Sequence, residues 1–148
     1  MKLVHVKKSD YANNRMYSKF PTITVNGKNG VISLNRSMMD SFKLKTGDHV
    51  RFLKDTDETP PEWYFHPVWN VDEEAFRVYE SGNILKFSNK VLAQEIIRDL
   101  QKKLNPHLDY DMLPVEISAR FRIATKEAID GNDTVPDCYA MMGGKILK

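Results

Sequence analysis

The sequence predicts an α+β fold, built mainly on an antiparallel β-sheet with one short and one longer helix. Short segments that alternate apolar and polar residues recur between turn residues along much of the chain. Separate stretches carry apolar residues three or four positions apart, which is the spacing of one helix face. Strand-like and helix-like patterns therefore share one chain of 148 residues.

The first two strands are predicted at residues 22 to 25 and 31 to 34, because both segments alternate. They flank the sequence NGKNG, and glycine and asparagine tolerate a positive φ. This connection favours a β-hairpin.

A short helix is predicted directly after the hairpin. Asn35 stands at the N-cap position, and Met38, Met39 and Phe42 follow at helical spacing before the chain turns at Gly47. The apolar residues of this region are expected to form one layer of the core: Ile32, Leu34, Met38, Phe42, Leu44, Val50 and Phe52.

Further strands are predicted at residues 49 to 53, 63 to 68 and 76 to 79, in an antiparallel meander joined by acidic turns. In the second of these, alternation places Trp63 and Phe65 on one face, which we expect to be buried.

The second half contains GNILKFSNKVLAQEI, from Gly82 to Ile96, which repeats the order of glycine, strand, polar pair and helix found after Gly30. This repetition suggests the hypothesis of an internal duplication. The second helix is longer and ends at Asn105-Pro106, and two more strands are predicted at residues 115 to 124 and around 138 to 142.

The chain divides into a basic N-terminal arm, residues 1 to 21, and a single α+β domain, residues 22 to 148. Cys138 is the one cysteine, so an intrachain disulfide is excluded and a reducing compartment is indicated. The N-terminus lacks an uninterrupted apolar segment, and no stretch is long enough to span a bilayer. We therefore expect a cytoplasmic protein that does not enter a membrane.

Catalytic motifs are absent from the sequence, including the phosphate-binding P-loop, the Gly-x-Ser-x-Gly nucleophile turn and the His-Glu-x-x-His zinc motif. The protein is accordingly predicted not to be an enzyme, with no cofactor, no metal and no small-molecule substrate.

Charge is distributed unevenly along the chain. Residues 1 to 30 carry six lysines and arginines against one aspartate, and aromatic residues lie among these cations. Phosphate contact requires cations, and single-strand binding adds aromatic rings on which bases stack. The candidate nucleic-acid contacts are Lys7, Lys8, Arg15, Tyr17 and Lys19 in the arm, and Lys28, Arg36, Lys43 and Lys45 around the first hairpin and helix.

Residues 55 to 80 have the opposite character, with eight aspartates and glutamates against one arginine. This stretch would repel a polyanion. It supports the alternative function, a protein-interaction or structural subunit without nucleic-acid binding.

The segment GVISLNRSMMDSFKLKTGDHVRF, residues 30 to 52, resembles the AbrB-type swapped-hairpin transcription factors in its order of glycine, strand, short helix, Gly-Asp turn and closing strand. The resemblance implies a dimeric DNA-binding module. Val31, Met39 and Asp40 occupy the positions where that family places arginines for DNA contact.

Residues 49 to 104 resemble, in architecture, the Whirly and positive-cofactor-type single-stranded-DNA-binding proteins, which have four antiparallel strands followed by a helix. Both resemblances imply a homodimer that binds nucleic acid, DNA in particular. The sequence thus predicts a non-enzymatic transcriptional regulator or single-stranded-DNA binder.

Overall fold

The computed structural model describes residues 1–4, 20–70, 72–124 and 138–147. These residues form nine strands, two α-helices and one 3-10 helix. In chain order the elements are β1 (Thr22–Asn26), β2 (Val31–Leu34), α1 (Arg36–Phe42), β3 (His49–Asp55), β4 (Glu62–Val68), β5 (Phe76–Arg77), β6 (Tyr79–Ser81), β7 (Ile84–Ser88), α2 (Lys90–Leu104), the 3-10 helix (Tyr110–Met112), β8 (Ser118–Ile123) and β9 (Tyr139–Leu147).

The described strands make one sheet in the order β5-β3-β4-β9-β8-β1-β2-β7-β6, and every pairing in it is antiparallel. The predicted fold class is confirmed at this level, but the predicted meander is wrong. β3 and β4 form a hairpin, yet the other neighbour of β4 is β9, and β5 pairs with the far side of β3.

The two edges of this sheet almost meet, so that the sheet forms a nearly closed barrel. β5 and β6 are the edge strands, and only Val78 separates them in the chain. The Val78 N–H donates to the Asp48 carbonyl at 2.9 Å, and the Val78 carbonyl accepts from the Gly47 N–H at 2.8 Å. Gly47 has a φ of +93°, which supports the turn predicted at this position.

Successive residues of a strand point alternately into and out of the barrel, and residues directly opposite each other on neighbouring strands point to the same face. This alternation decides which residues fill the interior. Ile23 lies opposite both Leu34 and Phe121, and all three are buried. Phe65 is fully buried, and its ring packs edge-on against Phe42 at 5.4 Å between centroids. The interior is therefore shared by strands from both halves of the chain.

The two helices lie at opposite ends of the barrel. α1 connects the end of β2 to the start of β3, and the Asn35 side chain accepts a hydrogen bond from the Met38 N–H at 3.0 Å, which confirms the predicted cap. α2 connects the end of β7 to the start of β8 and is capped in the same way by Asn89. Each helix buries its apolar residues at the end of the barrel where the strands that it connects begin or end.

β9 approaches α2 closely at Gly144. A Cβ there would lie 2.5 Å from Leu100 Cδ1 and 2.8 Å from Phe121 Cε1. The β8–β9 register shifts at this point, between Arg120 and Arg122. Glycine thus allows the helix and the strand to pack together.

The predicted core layer is confirmed for six of its seven residues, Ile32, Leu34, Met38, Phe42, Leu44 and Val50, which are buried. Phe52 is only partly buried, but it packs against the core, with its ring 5.9 Å from that of the buried Phe87 and 6.0 Å from that of Phe65 between centroids. Trp63 and Phe65 occupy the buried face of β4, as predicted.

The two segments that suggested a duplication lie side by side, since β2 pairs antiparallel with β7. Their helices differ in length, with 7 residues in α1 and 15 in α2. The duplication remains a hypothesis. Among the described residues, none of the helices has the length and apolar character needed to cross a membrane.

Candidate nucleic-acid interface

The basic arm enters the described part of the chain beside the outer surface of the barrel. Phe20, the first residue of the described range 20–70, has its ring centroid 4.2 Å from the Arg122 guanidinium carbon. The Phe20 carbonyl also accepts from the Asn35 side-chain amide at 2.9 Å. Five predicted contacts lie outside the described residues: Lys7, Lys8, Arg15, Tyr17 and Lys19.

The other four predicted contacts do not form one cluster. Lys28 lies in the β1–β2 turn, whereas Arg36, Lys43 and Lys45 lie in or just after α1, at the opposite end of β2. The four residues of β2 separate the two positions by about 13 Å at about 3.3 Å per residue. All four side chains are exposed, and Arg36 pairs with Asp40 at 3.4 Å within the helix.

A different set of polar residues forms a continuous row across the outside of the barrel. Each member lies directly opposite the next, through five successive strand pairings. The row consists of Lys145, Arg120, Thr24, Ser33, Lys86 and Tyr79. At about 4.8 Å per strand, these five steps cover about 24 Å. We call this set the basic row.

Five of the six strands that carry the basic row contain no acidic residue, and the sixth, β6, contains the exposed Glu80 next to Tyr79. β1, β2, β7, β8 and β9 include Lys86, Arg120, Arg122 and Lys145, and neither aspartate nor glutamate occurs in them. The outer face of these five strands therefore carries positive charge that no acid in the same strands offsets.

Two features of this surface would be unusual if it contacted only solvent. Arg120 and Lys145 are direct cross-strand partners, and like charges in this position destabilise a sheet. Aromatic rings accompany the cations at both sides: Phe20 stacks on Arg122, and the Lys86 ammonium lies 6.0 Å from the Tyr79 ring centroid. Phe20 and Tyr79 are 50% and 47% exposed.

Sequence reasoning missed all four cations of this face. The alternation of SARFRI in β8 was the available signal, because it separates Arg120 and Arg122 from the buried Ala119, Phe121 and Ile123. Lys86 in β7 alternates with Leu85 and Phe87 in the same way. What the alternation does not reveal is that these strands lie next to one another.

The β3–β4 side of the barrel has mixed charge. β3 and β4 contain Arg51 and Lys54 together with Asp55 and Glu62, and Arg51 pairs with Asp72 at 3.3 Å. The exposed acids of the connecting turns add Asp57, Glu58, Glu73 and Glu74. The acidic stretch predicted to repel a polyanion thus lies outside β1, β2, β7, β8 and β9, and only its last residues, Tyr79 and Glu80, reach the row through β6.

Neither a metal cluster nor an activated thiol is found within the described ranges. No three histidine, cysteine, aspartate or glutamate side chains there are grouped closely enough to hold a metal ion. Burial raises the pKa of the Cys138 thiol, which lowers the fraction of reactive thiolate.

Comparisons with known proteins add no further constraint on the function. No protein-family model, curated protein or solved structure matches the chain. The resemblances to the AbrB-type and Whirly-type proteins stay predictions, and the candidate interface rests on the geometry of the barrel.

Proposed function

We propose that this protein binds nucleic acid without catalysing a reaction, and that the basic row together with the N-terminal arm forms the binding surface. The observation that carries the proposal is the presence of four cations, and no acid, on five adjacent strands. Electrostatic attraction to phosphates supplies most of the affinity of nonspecific nucleic-acid binding. A surface of this charge suits that partner.

The sheet fixes the spacing of the backbone positions that carry these cations, so a phosphate chain meets a defined pattern of positive charge. Phe20 and Tyr79 offer exposed rings on which unpaired bases stack. Together these features favour a single-stranded nucleic acid, and the proposed role is that of a single-strand binder or a DNA-binding transcriptional regulator.

The test compares two variants that each lose three positive charges. The first is Lys86→Gln, Arg122→Gln and Lys145→Gln on the face of the basic row. The matched control is Lys28→Gln, Lys43→Gln and Lys45→Gln, which removes three exposed lysines located elsewhere. Fluorescence anisotropy with labelled single-stranded DNA, single-stranded RNA and duplex DNA measures affinity across a salt series.

We expect the first variant to bind more weakly and to show a shallower salt dependence. Each phosphate contact contributes about 0.7 to the slope of log K against log salt for a single strand, so three lost contacts flatten the slope by about 2. The control is expected to keep the wild-type slope. Equal losses in both variants would contradict the assignment of the surface.

Absence of any salt-dependent binding in the wild type would reject the proposal and favour the protein-interaction alternative, because an apolar protein interface responds little to salt. Light scattering of the free protein separately tests the predicted homodimer.

A further inference from the structure

A cleft unconnected with the basic row lies between α2 and strands β4, β8 and β9. Its volume is about 320 Å³. Its lining includes the buried apolar side chains of Ile96, Leu100, Phe121 and Met141. These surfaces offer an apolar floor large enough for an organic molecule of about ten non-hydrogen atoms.

Two carboxyl groups line this cleft, and one of them, that of Asp99, is buried. Asp99, on α2, is only 8% exposed, and its Oδ2 accepts a hydrogen bond from the Trp63 indole N–H at 2.8 Å. The indole is the one hydrogen-bond donor to this carboxyl within the described ranges. A carboxylate can accept about four hydrogen bonds, so Asp99 retains capacity for another donor.

Two lysines near the cleft are engaged with other acids, and Arg98, the neighbour of Asp99 in α2, acts on that carboxyl only through its charge. Lys54 forms an ion pair with Glu95, which raises the pKa of Lys54, and Lys103 forms an ion pair with Glu62 at the edge of the cleft. In the part of the chain that the structure describes, no cation lies within salt-bridge distance of Asp99. A buried carboxylate without a positive partner is costly.

The charges that line the cleft therefore favour a positively charged occupant. Asp99 and Glu62 contribute two negative charges, and Lys103 contributes one positive charge. We propose that this cleft binds a small organic cation, a protonated amine on an apolar body, with its ammonium group on Asp99 and its body on the apolar floor. This inference is independent of the proposed nucleic-acid surface.

The indole of Trp63 provides a direct probe, because its N–H lies against Asp99. The chain contains two tryptophans, and the second, Trp69, is 59% exposed. A Trp69→Phe variant identifies the Trp63 indole signal in ¹⁵N-resolved NMR spectra without disturbing a buried side chain. Titration with 2-phenylethylamine then follows binding at the cleft.

The matched neutral probe is 2-phenylethanol, which has the same size and shape but no charge. We expect the amine to shift the Trp63 indole signal with an affinity of about 1 mM or tighter, a reasonable value for nine non-hydrogen atoms. The alcohol is expected to bind about tenfold more weakly or worse, because it lacks the charge-assisted hydrogen bond.

Asp99→Asn tests the residue itself, since it removes the charge and keeps an oxygen that can accept from Trp63. We expect this variant to lose about tenfold or more of the amine affinity and to bind amine and alcohol alike. Asp40→Asn, on the exposed side of α1 at the other end of the barrel, is the matched control and should bind as the wild type does.

Three results would overturn the proposal: no shift with the amine at about 10 mM, ten times the expected constant; equal affinity for amine and alcohol in the wild type; or unchanged amine affinity in Asp99→Asn. A dispersed NMR spectrum of Asp99→Asn verifies that the variant is folded. If Asp99→Asn does not fold, the comparison of amine with alcohol in the wild type still decides the matter.

Discussion

The two sides of the barrel bury similar residues and expose very different ones. Leu34 in β2 and Phe65 in β4 are both fully buried, and each alternates with more exposed neighbours along its strand. On the outside, β1, β2, β7, β8 and β9 together carry four cations and no acid, whereas β3 and β4 carry as many acids as lysines and arginines.

This difference shows which positions of the barrel are constrained by folding and which are not. Inward positions must be apolar on every strand, because they fill a common interior. Outward positions face water on every strand, so either sign of charge is compatible with the fold. The segregation of charge is therefore a property of the surface alone, and it is the feature that carries the functional proposal.

The largest expected effects concern the shared interior. Leu34→Ala on the side of the basic row should cost about 2 to 5 kcal/mol of unfolding free energy, and Phe65→Ala on the β3–β4 side about 3 to 5 kcal/mol. Both side chains have no exposed surface, so each truncation leaves a cavity. Urea denaturation of the purified variants measures the two costs.

Ser33→Ala is the control for Leu34→Ala, since Ser33 is the next residue and points outward. Its free energy of unfolding should stay within about 0.5 kcal/mol of the wild type. If Leu34→Ala is too unstable to purify, Ile32→Val should cost about 0.5 to 1.5 kcal/mol at another fully buried position. If Phe65→Ala lowers the free energy of unfolding as expected but Leu34→Ala and Ile32→Val do not, the two sides of the barrel do not share a common interior.

The next largest effects concern the surface charges. Arg122→Glu should weaken binding of single-stranded DNA about tenfold or more at low salt, because it replaces an attraction to phosphate with a repulsion. Glu73→Lys, in the acidic turn after β4, should change the affinity by less than about twofold at 0.1 M salt, where the Debye length is about 10 Å.

Lys145→Glu supports the interpretation of Arg122→Glu, because Lys145 lies in β9, the strand next to that of Arg122, and has no aromatic partner of its own among the described contacts. Anisotropy at several salt concentrations measures all three variants. A gain in affinity from Glu73→Lys as large as the loss from Arg122→Glu would mean that net charge governs binding and the two sides are equivalent.

A third prediction concerns the pH dependence of stability that arises from the buried carboxyl group of Asp99. Burial raises the pKa of Asp99, the Trp63 hydrogen bond opposes this shift, Glu95 adds to it, and Lys54 and Arg98 oppose it. The folded protein therefore holds this proton more tightly than the unfolded chain does. This contribution to stability is complete below the unfolded pKa, near 3.8, and is lost as the pH rises through the folded pKa.

Asp99→Asn has no ionisable group at this position, so it does not undergo this loss of stability. The melting temperature of the variant minus that of the wild type should therefore increase as the pH rises from about 3.8 toward neutrality. Thermal melts of both proteins over this range measure the difference. A difference that is constant with pH, or that shrinks as the pH rises, would contradict the account of Asp99 as a carboxyl group whose ionisation burial opposes.

Local features of the fold could be predicted because their causes are local. Asn35 caps α1 through an atom three residues away, and alternation placed Trp63 and Phe65 on the buried face of β4. The burial of Leu34 and Val50 follows from the same periodicity. Phe52 packs against the core but is only partly buried, because alternation gives the face of a residue and not its distance from the centre of the core.

The candidate surface could not be predicted from neighbouring residues. Lys86 and Lys145 are 59 positions apart in the sequence, yet both belong to one row because β7, β2, β1, β8 and β9 are successive neighbours in the sheet. Lys28 and Arg36 are close in sequence, but the length of β2 separates them.

The sequence by itself determined the α+β class, the hairpin, the two helices with the cap of the first, and the buried face of β4. These properties depend on backbone preferences and apolar periodicity within a few residues. Only the tertiary structure decided the strand order, the near closure of the barrel and the formation of the basic row and the Asp99 cleft. Those features arise from pairings between distant segments, which are selected by the packing of the whole interior.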